Sequence, residues 1–113
     1  MPDWKKPKRI KDPAVFKQLH DAGVQCVLCG KRGTLHHVLP RSRGGDDVYE
    51  NLIGLCGSGT TGHHGLIEAN DLDTRNDVGT WLLQERPDVI SYVHAKLGPE
   101  AGADWLRRKL LIP

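Results

Sequence analysis

Cys26-Val27-Leu28-Cys29, answered at Cys56 by the third and last cysteine of the chain, is the stretch that decides how this sequence is read. Two cysteines two residues apart sit on one tight knuckle, where both thiolates can grip a single Zn2+. A structural zinc site closes with four protein ligands, so two more must come from elsewhere. Cys56 supplies one. His63, beyond the Gly57-Ser58-Gly59-Thr60-Thr61-Gly62 loop, is the candidate for the other. Three cysteines cannot all be paired in disulfides within one chain. Zinc ligation by Cys26, Cys29, Cys56 and His63 accounts for all three; the competing reading is three unrelated reduced thiols.

Around this frame the chain is punctuated by turn residues. Gly30, Gly33 and Gly44-Gly45 bound two short runs, Thr34–Leu39 and Leu52–Cys56, that read as strands. Asp12-Pro13 is an N-cap and first-turn pair, and with Gly23 as a stop it predicts a helix over about 13–22 whose apolar face is Val15, Phe16 and Leu19. Leu66, Ile67 and Ala69 predict a short helix starting at His63 or His64. A further helix is expected over Thr74–Glu85, weakened by about 1 kcal/mol at Gly79. Pro87 opens another, with Val89, Ile90, Val93 and Leu97 as its stripe, and Pro99 through Trp105–Leu111 give a last one. The expectation is an α+β fold in one domain: a basic N-terminal arm at 1–12, a zinc-stapled core at 13–70, and a helical C-terminal extension at 71–113.

The chain has 113 residues, which fits one domain, and its 13 Gly and 7 Pro against 38% apolar residues describe a loop-rich fold with a thin core that a metal would staple. No run approaches the roughly 18 apolar residues of a membrane helix. The basic N-terminus is not followed by an apolar segment with a cleavage site, so a cytoplasmic location with reduced thiols is expected. The net charge of +2 is unevenly spread: residues 1–13 carry five Lys/Arg against two Asp, whereas residues 50–88 carry seven acids against Arg75 and Arg86. A basic front half suits a polyanion, although ordinary solvated charge would look the same.

His36-His37 is the second chemical feature. Neighbouring strand residues face opposite ways, so the two rings can do two jobs where the strand is twisted or bulged. Imidazole near neutral pH serves as a general base and, when neutral, as a metal ligand. His64 and Glu68 lie one helical turn apart on the short helix and can hold one ion between them.

Taken in order, Cys26-Val-Leu-Cys29, Leu35-His36-His37-Val38-Leu39-Pro40-Arg41-Ser42-Arg43-Gly44-Gly45, Asn51-Leu52-Ile53-Gly54-Leu55-Cys56 and Gly62-His63-His64-Gly65 resemble the HNH endonucleases, and in particular their small zinc-knuckle members from bacteriophages and prophages. The resemblance covers about residues 26–70. It implies a ββα-metal core (a His-Me finger) in which His36 takes the first metal-ligand position, His37 the general-base position, Asn51 the middle position and His64 the last ligand position. Glu68 falls where some members have a further ligand. Asn51 would either bind the ion or hold the loop that aims His37. Arg41 and Arg43, just after the histidine pair, are candidates for contacting DNA phosphates, with a solvated basic turn as the competing reading.

The sequence departs from the family pattern twice. His63 stands where the second knuckle usually has a cysteine, and His36 stands where the family often has Asp. The second change broadens the expected catalytic ion from Mg2+ or Mn2+ toward Ni2+ or Zn2+, since imidazole suits later transition metals. The resemblance implies hydrolysis of DNA phosphodiesters to 5′-phosphate and 3′-hydroxyl ends in a bacterial host cell. Phage terminase and packaging proteins are the partners it implies. The chief rival is a zinc-stapled DNA-binding module without catalysis; a weaker one is a restriction-type nuclease acting on modified DNA.

Overall fold

A computed structural model of the chain describes residues 9–113. Residues 1–8 of the expected basic arm lie outside the described residues. The elements follow in the order α1 (Pro13–Asp21), β1 (Gly33–His37), two single-turn 3-10 segments (Arg41–Arg43 and Tyr49–Asn51), β2 (Leu52–Cys56), α2 (Gly62–Glu68), α3 (Leu72–Glu85), α4 (Pro87–Leu97) and α5 (Pro99–Leu110). This is an α+β arrangement in which a two-stranded hairpin is followed by a short helix and then by three more. Among the described residues no helix is long and apolar enough to cross a membrane.

Capping explains most of the boundaries. The Asp12 carboxylate accepts the Val15 N–H at 3.1 Å, and Pro13 follows at the first position, where no amide donor is needed. Pro87 and Pro99 start α4 and α5 in the same way. The third long helix starts two residues before the expected Thr74. Asp71 caps it, accepting from both the backbone N–H (3.0 Å) and the hydroxyl (2.7 Å) of Thr74. The first strand is displaced from the expected Thr34–Leu39: it spans Gly33–His37 and ends before Leu39, because Asn51 takes over the hydrogen bonds that a longer ladder would have used.

The two strands pair antiparallel, with Gly33 opposite Cys56, His36 opposite Ile53 and His37 opposite Leu52. The cysteine knuckle is fastened to this hairpin by its backbone. Cys26 N–H donates to Lys31 O at 2.7 Å, Gly30 N–H to Cys26 O at 2.8 Å, and Val27 N–H to Gly54 O on β2 at 3.0 Å. The core lies between the hairpin, α2 and the three C-terminal helices, and joins Leu39 and Leu55 to Val78, Leu82, Val89, Val93 and Leu106, all 1% exposed or less. Thus the C-terminal helices share one core with the cysteine- and histidine-bearing hairpin. Gly79 is part of that packing and not merely a weak point in α3: a Cβ there would lie 2.0 Å from the Leu110 carbonyl oxygen, so only glycine lets the end of α5 pass this closely.

Candidate functional site

The loop between β2 and α2 is a closed turn. Ser58 and Thr61 exchange backbone hydrogen bonds at 3.2 Å, and Gly62, with φ of 63°, turns the chain back so closely that a Cβ there would meet the Cys56 carbonyl oxygen at 2.4 Å. This turn brings His63 over the knuckle. Its Nδ1 lies 3.3 Å from the sulfurs of both Cys26 and Cys56, and its backbone N–H points at the Cys56 sulfur, also at 3.3 Å. The donor atoms of Cys26, Cys29, Cys56 and His63 all lie within 4.8 Å of one another. Bonds of about 2.3 Å to sulfur and about 2.1 Å to nitrogen put tetrahedral ligand atoms roughly 3.5–3.8 Å apart, so the four fit one zinc-sized ion.

Two of the sulfurs are shifted in opposite directions. Burial works against the Cys26 thiolate, but backbone N–H groups of Cys56, Leu28 and Cys29 and the His63 ring outweigh it and bring the thiol down to about 6. For Cys29 the Lys31 backbone N–H favours the thiolate, yet burial and the neighbouring Cys26 and Cys56 sulfurs prevail and raise it. Sulfurs that repel one another in this way are stabilised by a shared cation.

The next residue along α2 faces a different cluster. His36 Nδ1 is 3.2 Å and His64 Nε2 3.6 Å from Glu68 Oε1, and the two rings meet edge-on with centroids 5.1 Å apart. These three donor atoms also lie within 4.8 Å of one another. Thr34, a residue the sequence did not single out, fixes the tautomer of His64. Its hydroxyl donates to the Gly57 carbonyl at 3.0 Å, so it must accept the Nδ1–H of His64 at 2.7 Å. The Nε2 lone pair is thereby left toward Glu68. Burial, reinforced by the His64 and His37 rings, pushes His36 down to about 3. Burial lowers His64 as well, against the pull of Glu68. Both rings are neutral near pH 7, the state in which imidazole can donate a lone pair to a metal. Two imidazoles and one carboxylate suit Zn2+, Ni2+ or Mn2+ better than Mg2+, which prefers an all-oxygen shell.

His37 faces away from this cluster. Its Nε2 lies 2.8 Å from Asp47 Oδ1, and its ring stacks on Phe16 of α1 with centroids 5.8 Å apart, while the Arg41 guanidinium lies 5.8 Å from the same Phe16 centroid. An ionised carboxylate can only accept, so Nε2 carries the proton, and Nδ1 has no hydrogen-bond partner among the described residues. Burial lowers the pKa of His37 despite Asp47. Asp47 would itself be raised by burial, but the His37 ring and the Asp12 backbone N–H (3.0 Å) hold it below the usual carboxylate range, with Arg9 as a further partner. Nothing in the local sequence pattern marks Asp46 or Asp47 as part of a site. In the fold, Asp46 accepts from the Tyr92 hydroxyl at 2.6 Å and Lys96 at 2.9 Å, tying the same loop to α4.

Asn51 is fully buried. Its Oδ1 accepts from Leu39 N–H at 2.8 Å, and its Nδ2 donates to Leu39 O at 3.0 Å and Asp46 O at 3.1 Å. All three bonds go to the loop that carries Asp47, and none reaches the His36–His64–Glu68 cluster. Arg41 and Arg43, expected together on phosphates, diverge: Arg41 lies over Phe16, whereas Arg43 lines a cleft beside His36 and Glu68.

Residues 26–58 match the family model of the HNH endonucleases. The HNH match contains the three cysteines, His36, His37, Asp47 and Asn51 and covers less than half of the chain; it agrees with the resemblance read from the sequence. A search of the curated proteins finds no match, and neither does a search of the solved structures.

Proposed function

We propose that the chain is a metal-dependent DNA endonuclease of the HNH type, with hairpin and α2 as a ββα-metal core. The observation that supports this most is the division of four histidines among three tasks within one hairpin–helix unit. His63 completes a sulfur cluster, His36 and His64 face Glu68, and His37 stands apart with its Nδ1 unpartnered among the described residues. In this reading Cys26, Cys29, Cys56 and His63 hold structural Zn2+, and His36, His64 and Glu68 hold the catalytic ion. A divalent ion bound there supplies a Lewis acid for the phosphodiester.

The chain's own residues do the rest. His37 takes a proton at Nδ1 from the attacking water, and Asp47, hydrogen-bonded to the opposite nitrogen, keeps the ring in that tautomer and stabilises the imidazolium that results. Asp47 and Asn51 are therefore positioning residues, with Asn51 fixing the loop on which Asp47 sits. Residues 71–113 complete the core and extend the same domain. The phage or prophage origin, and with it a role beside terminase in DNA packaging, is carried by the sequence resemblance alone.

The test is plasmid cleavage by the zinc-loaded chain with Mg2+, Mn2+ or Ni2+ added. Wild type is expected to nick or cut, and His37→Ala to retain DNA binding and its melting temperature while losing roughly 10²–10⁴-fold in rate. DNA binding without cleavage under every ion would establish the non-catalytic module instead.

A further inference from the structure

The His36–Glu68 cluster opens on a cleft of about 220 Å3 bounded by the Arg41–Arg43 turn, α2, α3 and α5. Three cations from three separate elements line it, Arg43, Arg75 and Lys109, and Glu68 is the one carboxylate among its lining residues. Their pairing is incomplete. On α5, Arg107 and Arg108 both reach Asp104, at 3.9 and 2.9 Å, whereas Lys109 and Arg43 form no ion pair among the described residues. Arg75 donates through Nη1 to the Arg108 carbonyl at 3.2 Å, but its Nε is buried without any hydrogen-bond partner. A buried guanidinium N–H with no acceptor is costly, and here it belongs to a side chain lining a cleft that is already positive.

We propose that this cleft seats a backbone phosphate of the polynucleotide strand, flanking the one that reacts at the His36–His64–Glu68 cluster, with Arg75 and Lys109 as its grip and Arg43 as the third cation. The proposal rests on the nuclease reading of that cluster. It gives the helices beyond the HNH match a part in holding substrate. Phosphate is the chemistry that fits, because an arginine and a lysine line one small cleft next to the cluster read as a phosphodiester site.

The experiment uses the full chain, zinc-loaded, as wild type, R75Q, R75K, K109Q and R107Q. Binding of a duplex oligonucleotide is followed by fluorescence anisotropy over a salt series without added divalent ion. Cleavage of DNA and of bis(p-nitrophenyl) phosphate, which has no flanking phosphate, is measured with Mn2+. R75Q and K109Q are each expected to flatten the slope of log K against log salt by about 1, with R75K restoring it and R107Q leaving it as in wild type. DNA cleavage by R75Q and K109Q is expected to fall at least fivefold more than cleavage of the small diester. Lys109 is exposed, so K109Q carries the test even if R75Q melts early.

Equal flattening by R107Q and K109Q would reduce the effect to general surface charge and overturn the proposal. Equal loss on both substrates would do the same, placing these residues in the reaction centre or the fold. Binding of inorganic phosphate that R75Q abolishes, with the DNA salt slope of R75Q as in wild type, would assign the cleft to a free anion and also overturn it. If wild type cleaves neither substrate with any ion, the nuclease reading falls, and the salt slopes alone then decide the cleft.

Discussion

At Cys26, Cys29, Cys56 and His63 four donors converge and use up a tetrahedron; one residue further along α2, at His64, only three donors converge and the remaining space opens on a cleft. The first cluster is three-quarters sulfur and tied to β2 through the Val27 N–H and the Gly54 carbonyl. The second is imidazole and carboxylate, and Glu68 stays half exposed, its side chain at 51%. A closed shell suits an ion that holds a fold, and an open one suits an ion that must meet substrate. Donor chemistry sharpens the separation, since thiolates favour zinc while imidazole with carboxylate suits several divalent ions. Adjacent residues of one short helix thus face chemically distinct clusters because helical neighbours point about a quarter-turn or more apart.

The strongest way to break this contrast is to remove the closed shell. Cys26→Ser is expected to unfold the domain and abolish both clusters together, because in small metal-stapled folds binding energy is folding energy. Circular dichroism with zinc analysis checks it; a folded, zinc-free variant would show that the core stands without the staple.

The sharpest comparison is between the adjacent histidines. His63→Ala is expected to lower the melting temperature and zinc content, with activity lost through unfolding. His64→Ala is expected to keep both and lose catalytic-ion affinity, with partial rescue by excess Mn2+. Melts, zinc content and Mn2+ titrations on the two proteins separate the roles. Identical behaviour of the two variants would erase the distinction between the clusters.

A smaller effect is expected at the residue that aims His37. Asp47→Asn should lower the DNA cleavage rate by roughly 10–100-fold, the usual scale for losing a carboxylate behind a functional imidazole. KM for DNA should change little, since Asp47 is buried.

The smallest effect is a pH dependence. His36 is held down to about 3 from an ordinary 6.5, so the unfolded chain takes up a proton before the folded one does. This contribution to stability is fully present above about pH 6.5 and declines as the pH falls from there toward 3. Thermal melts over that window should show a shallower loss in His36→Gln than in wild type.

Much of this was legible in the sequence because it is local. Asp12-Pro13, Pro87 and Pro99 mark helix starts through the backbone of their own neighbours, and the Cys-x2-Cys knuckle declares itself by spacing. What stayed hidden depends on contacts between residues far apart in the chain. Asp47 meets His37 and Arg9, and Asp46 meets Tyr92 and Lys96 of α4, across 38 to 50 positions in all but the His37 case. No periodicity announces such pairs. Thr34 read as an ordinary strand residue until the turn at Gly57–Gly62 brought His64 to its hydroxyl. Gly79 read as a flaw because its reason, the carbonyl of Leu110, belongs to another helix.

The Gly62 turn has a consequence for both clusters. It sets the first residue of α2 against Cys56 and, through His63, fastens that helix end to the knuckle, and the same helix end carries His64 beside His36. The two clusters therefore share one mechanical anchor. A variant that frees this helix end from the knuckle is expected to loosen the meeting of His36, His64 and Glu68 as well, without any change to those three residues.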